Sequence, residues 1–235
     1  MSTPRSLALP AGVRPCQITT PVGVFAALEA LPRSGVSERL PALLVPGHTG
    51  SKEDFLAVLE PLARAGRRVV AIDMRGQYET PGPEDAAAYT CAALGRDVAA
   101  VAAAVGAGEP VHLVGHSFGG LVAREAALCG TADLASCTLM SSGPAGIVGP
   151  RAHEGRLLLR ELAEQGLETG LETLWTTRLE PEALAAGVPD DILAFLHKRL
   201  FANSPTGLVA MGEQALTAPD RVDELAALPL PFLVL

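Results

Sequence analysis

Residues 111–120 read Val-His-Leu-Val-Gly-His-Ser-Phe-Gly-Gly, an apolar run ending on a serine framed by Gly115 and Gly119. Val111–Gly115 has the character of a short buried strand and Phe118–Cys129 that of a helix, so Ser117 falls at a strand-to-helix turn. A turn this tight holds its central residue in strained backbone, and small neighbours let it close. It lifts the serine Oγ away from the sheet and leaves N–H groups at the helix start without acceptors. Those donors, with the helix dipole behind them, favour developing negative charge on an oxygen. Ser117 is therefore a candidate nucleophile. The competing reading is a plain N-cap serine after a glycine turn.

A second donor is expected from the loop after the third strand, Pro46-Gly47-His48-Thr49-Gly50-Ser51. Its glycines let backbone approach a substrate carbonyl closely. The backbone N–H of His48 is expected to join that of Phe118 in holding an oxyanion. An ordinary connecting loop capped by Ser51 is the alternative, and both can hold together.

A serine hydroxyl needs a base to react at neutral pH. His112 lies within a strand and reads as a satisfied core imidazole. His116 is the variable residue beside Ser117 and is expected to point away from Oγ. His153 and His197 fall in a helical stretch where solvent-facing roles are commoner, which leaves His48 as the substitute base. No HExxH, paired histidines or carboxylate cluster implies a metal, and no GxGxxG follows a strand. No cofactor is expected.

These residues need a scaffold. Cys16–Thr20 and Val24–Leu28 read as two short strands joined by a turn. Strands at Leu40–Pro46, Arg67–Asp73, Val111–Gly115 and Ala135–Met140 then alternate with helices over Ser51–Ala65, within Asp85–Gly106, and over Phe118–Cys129. Pro61 is expected to kink or divide the first of these helices. Such alternation implies an α/β fold with mostly parallel pairing and helices on both faces of the sheet. From Gly143 to about Ala226 no buried strand is legible. Helices are expected at Arg151–Gln165, Leu167–Arg178, Pro181–Ala186 and Asp190–Asn203. An insertion so long predicts a helical cap over the Ser117 cleft, with Leu174, Trp175 and Phe195 facing the fold. Pro231–Leu235 returns to strand character. The expected division is a core at 1–143, a helical cap at 144–226, and a return to the core at 227–235.

Composition narrows the function. Hydrophobic residues make up 49% of the 235 and aromatics 4%, so the core must be mostly Ala, Val and Leu. A net charge of −8 without a basic cluster argues against nucleic-acid binding. Cys16, Cys91, Cys129 and Cys137 form no CxxC pair, and the last two read as buried thiols. No secretory h-region opens the chain and no run approaches the ~20 apolar residues of a membrane span. A soluble cytoplasmic protein acting on a small molecule is the expectation.

The segments LLVPGHTGSKEDF, VVAIDMRGQ and VHLVGHSFGGLVA, spread over roughly Leu40 to Gly143, together resemble the α/β-hydrolase superfamily. The likeness is to its cap-bearing esterase, lactonase and cofactor-free haloperoxidase-like members. It implies a serine hydrolase acting on a small or medium apolar ester, lactone or thioester through an acyl-enzyme on Ser117. A non-catalytic ligand-binding homologue, or an acyltransferase or perhydrolase using the same serine, are the alternatives. The resemblance also implies an acid just after the strand at Pro231–Leu235 and a histidine after one more strand. Both are expected beyond Leu235, in a fold whose last strand and helix are missing from a C-terminally shortened chain. The family more often has His-Gly where Pro46-Gly47 stands. It also favours DxRGxGxS where Asp73-Met74-Arg75-Gly76 continues as Gln77-Tyr78-Glu79-Thr80. Asp73 and Arg75 are accordingly expected to organise a turn, and Tyr78 either to line the cleft or to pack. Serine at 117 sets the chain apart from dehalogenase and epoxide-hydrolase branches, which use Asp there.

Overall fold

The computed structural model describes residues 2–32, 39–130 and 132–235. A seven-stranded sheet is built from β1 (Val13–Thr20), β2 (Gly23–Ala30), β3 (Arg39–Val45), β4 (Arg67–Ile72), β5 (Val111–His116), β6 (Leu134–Met140) and β7 (Phe232–Val234). Its order is β1-β2-β4-β3-β5-β6-β7. β1 pairs antiparallel with β2, and β2 with β4, through residues that include Ala27 opposite Ile72. The pairings of β3, β4, β5, β6 and β7 with one another are parallel. The alternation of strands and crossover helices required this arrangement, because parallel neighbours cannot be joined by a hairpin.

Helices α1 (Leu56–Arg64), α2 (Cys91–Gly106) and α3 (Phe118–Leu128) are the crossovers. Successive strand residues point to opposite faces, and two apolar layers follow from that period of two. Leu43, Val45, Val70, Ile72 and Leu113 pack with α2 and α3 on one side. Ala42, Leu44, Val69 and Ala71 pack with Phe55, Leu56 and Leu59 on the other. A fully buried leucine such as Leu59 contributes ~1.5–3 kcal/mol by leaving water.

Three expectations need correction. Pro61 neither ends nor divides its helix: α1 runs unbroken to Arg64, after a 3-10 turn at Lys52–Phe55. Pro61 and Ala57 are both solvent-exposed, so water can serve the carbonyl that the missing N–H leaves free. Cys129 is half-buried rather than buried, whereas Cys137 is fully buried and its thiol pushed up to about 12 by burial. The third correction concerns the region between β6 and β7.

That region is helical: α4 (Pro150–Gln165), α5 (Leu167–Leu174), a π-helical turn at Trp175–Leu179, α6 (Glu180–Ala185), α7 (Asp190–Phe201), α8 (Pro205–Thr217) and α9 (Val222–Ala226). The last two lie beyond the helices read from the sequence. Trp175 is buried against Leu162, Leu171, Ile192, Leu196 and Leu200, side chains of these same helices rather than of the sheet. Phe195 meets the Tyr78 ring edge-on at 5.6 Å.

Candidate active site

Ser117 joins β5 to α3 with φ 52 and ψ −121, a conformation in which a side chain is strained. The surroundings hold it there. Its N–H donates to the Met140 carbonyl at the end of β6 (2.9 Å), and its own carbonyl accepts from Gly120 (2.9 Å). The close approach explains the glycine two residues on: a Cβ on Gly119 would stand 2.3 Å from the Pro46 carbonyl oxygen. The backbones of the turn and of the loop after β3 are therefore in direct contact. A Cβ on Gly47 would likewise lie 3.3 Å from the Ser117 Cβ.

The two candidate oxyanion donors share a further property. Neither the His48 N–H nor the Phe118 N–H has an acceptor among the described residues. Phe118 is the first residue of α3, where a helix leaves its N–H groups unsatisfied. The rings of His48 and Phe118 meet edge-on at 6.2 Å. Behind the loop, the carbonyls of Gly47 and His48 accept hydrogen bonds from Nε2 of Gln77, at 2.8 and 2.9 Å.

His48, His112 and His197 have partners other than Ser117. His48 Nε2 donates to the Leu208 carbonyl of α8 at 2.6 Å. Although the residue is only half-buried, dense packing around its ring lowers its pKa below 6.5, and the bond to Leu208 offsets part of this. His112 Nδ1 lies 2.7 Å from Ser136 Oγ. His116 borders a cavity with Leu44, Phe55 and Met140, whose lining does not include Ser117. His153 is exposed, and His197 stacks between Trp175 and Phe201. Ser117 Oγ has no hydrogen-bond partner among the described residues.

The segment after β4 is a structural hub. Asp73 is fully buried and accepts from the Lys52 backbone and from Lys52 Nζ, each at 2.8 Å. Burial pushes Asp73 up to about 6 despite the ammonium beside it. Arg75 pairs through two nitrogens with Asp97. Tyr78, where the family favours glycine, takes φ 42 and packs between Phe195 and the Lys52 ammonium, 4.7 Å from its ring centre. Among the described residues no group of three or more His, Cys, Asp or Glu side chains is arranged to hold a metal.

Two cavities flank the turn. One of about 370 Å³ includes Ser117, Phe118, Ser141, Ser142 and Arg151 in its wall. Another of about 280 Å³ is walled by His48 and by Leu158, Leu162, Leu174, Leu200 and Leu208. Arg151 borders both.

Strand order, the strained serine and the glycine contacts together define an α/β fold with a nucleophile-type turn, and the chain belongs to the alpha/beta hydrolase fold family. The family's model matches residues 41–167. A protein of Variovorax paradoxus (strain S110) described as the carbamate hydrolase RutD is 38% identical over 121 residues, covering 52% of this chain and 43% of that one. A proline iminopeptidase of Lactobacillus delbrueckii subsp. lactis is 33% identical over 90 residues, 37% of this chain and 30% of its own. The chain thus spans less than half the length of these curated relatives. The crystal structure of a hydrolase from Pseudomonas aeruginosa PA01 superposes with a TM-score of 0.68 at 25% identity, covering 96% of this chain and 80% of that one.

Proposed function

We propose that the protein is a serine hydrolase that cleaves a small or medium apolar carboxylic ester, lactone or thioester. In this reading Ser117 Oγ attacks the carbonyl carbon and loses its proton to a base. The oxygen of the tetrahedral intermediate accepts hydrogen bonds from the N–H groups of His48 and Phe118. Collapse expels the alcohol or thiol and leaves an ester on Ser117, which water hydrolyses. Among the described residues no histidine hydrogen-bonds Ser117 Oγ. In His48 the Nε2 proton is held by the Leu208 carbonyl, which leaves Nδ1 as its basic nitrogen.

One observation carries the reading: a strained serine at the head of a helix, in contact with a loop, where two backbone N–H groups lack acceptors. An oxyanion supplies what those donors lack. The leucine-walled cavity beside His48 supports an apolar acyl or alkyl group, and the helices of residues 144–226 would act as the cap that shapes it. Loss of p-nitrophenyl butyrate turnover in Ser117→Ala, by at least ~10³-fold in the full-length protein, is the expected result. Turnover unchanged by that substitution would remove Ser117 from the mechanism.

A further inference from the structure

Gln77 lies in the turn after β4, at a position that the DxRGxGxS pattern leaves open, and its side chain is fully buried. Both ends of its amide are engaged. Oε1 accepts from the Met74 N–H at 3.2 Å, while Nε2 donates to the carbonyls of Gly47 and His48. Its backbone is fixed too, donating to the Met74 carbonyl (2.9 Å) and accepting from Thr80 (2.8 Å).

We propose that Gln77 is a positioning residue for the oxyanion site, setting the plane of the Gly47–His48 peptide so that the His48 N–H points at the substrate carbonyl. The inference rests on the reading of Ser117 as nucleophile. In a trans peptide the C=O and the next N–H lie in one plane and point in opposite directions. The Gly47 carbonyl is held from behind by Gln77 Nε2 and by the Gly50 N–H at 3.1 Å. The His48 N–H must then project away from Gln77, and it has no acceptor there. The same Nε2 also fixes the following peptide through the His48 carbonyl. Glutamine suits the post because its amide offers two donors and an acceptor at the end of one side chain. Methionine has the length but no donor, and a carboxylate would set its charge against two carbonyl oxygens.

The test separates positioning from mere loss of folded protein. A thionoester places sulfur, a weak acceptor, where the ester has oxygen, so the ratio of ester to thionoester kcat/KM reports the oxyanion site. The folded fraction cancels from that ratio. Removing an oxyanion donor outright costs ~10²–10³-fold, so tilting one should cost about 10-fold. In the full-length protein, Gln77→Met should lower kcat for p-nitrophenyl butyrate about 10-fold with KM within about twofold, and lower the ester-to-thionoester ratio by a similar factor. Gln77→Glu should show the same defect at high pH and recover part of the ratio at low pH, where the new carboxyl is neutral and can donate. A ratio within twofold of the parent in both variants, at any pH, overturns the proposal. Ser117→Ala run alongside distinguishes the two claims. If it keeps parental turnover the nucleophile reading fails, whereas if it loses turnover and the ratios stay constant only the role of Gln77 fails.

Discussion

The strained turn at Ser117 and the loop at His48 that it touches were legible in the sequence for different reasons and with different completeness. Glycine spacing marked the serine, because a turn that brings Gly119 against Pro46 tolerates no Cβ. Nothing in that spacing revealed what the His48 ring does, since its partner is a backbone carbonyl 160 residues away. Gln77 falls at an open position of the DxRGxGxS pattern, so the sequence did not mark it; its contacts join two loops distant in sequence. The His48 ring also has a measurable consequence. Its pKa is lowered by burial, so as pH falls below ~6.5 the unfolded chain takes up a proton before the folded one. The stability it allows is complete above the unfolded pKa and declines as pH falls toward the folded value. Asp73, raised to about 6, titrates in the same window with the opposite sign: burial disfavours its charged form, and stability from this group is lost as pH rises through that value. His112 shifts in the same direction as His48. The difference between parent and variant therefore isolates His48. The fall in Tm between about pH 7 and pH 5 should be smaller in His48→Asn than in the parent, measured by thermal denaturation. Parallel Tm–pH curves would contradict the assignment.

At the scale of elements, strands and crossover helices could be read because each carries its own period, two or 3.6, and its own Gly or Pro boundary. The helix α8 escaped notice. Gly207 and Gly212 resemble breakers, yet Ser204 caps the helix by accepting from the Gly207 N–H at 3.1 Å and Pro205 occupies its first turn. A Ser-Pro start was the signal available. How the helices between β6 and β7 attach to the sheet was not legible, because the links join distant residues: Ala210, Met211 and Ala215 of α8 pack into the core layer of α2 and α3, and a buried ion pair adds to them. Arg199 of α7 is fully buried and bonds Asp54 Oδ1 at 2.7 Å, with further bonds to Ser51 Oγ and the Ser2 carbonyl. Asp54 belongs to the capping box that opens the turn before α1, so one guanidinium ties α7 to the loop that follows β3. Arg199→Met leaves the Asp54 carboxylate buried without its cation, at a cost of ~3–5 kcal/mol and a Tm drop on the order of 10 °C. Differential scanning calorimetry checks this, and a shift under ~2 °C would show that solvent replaces the pair at little cost.

Across the whole molecule, the elements converge on one point: β3 ends in the His48 loop, β4 in the Gln77 turn, β5 in Ser117 and β6 in the Ser141–Ser142 edge of the cleft. Parallel strands place these ends on one side of the sheet, which is why residues far apart in sequence meet there. On the proposed reading the arrangement singles out Ser117 among the serines of the described residues, and a fluorophosphonate probe tests that selection on the entire protein at once. Phosphonylation needs an activated serine and stabilisation of negative charge on the probe's oxygen. After exposure of the folded full-length protein, intact-mass and peptide mapping should find a single adduct, on Ser117, absent after denaturation and absent in Ser117→Ala. An adduct on another serine, or none on Ser117 while the protein turns over esters, would contradict the account.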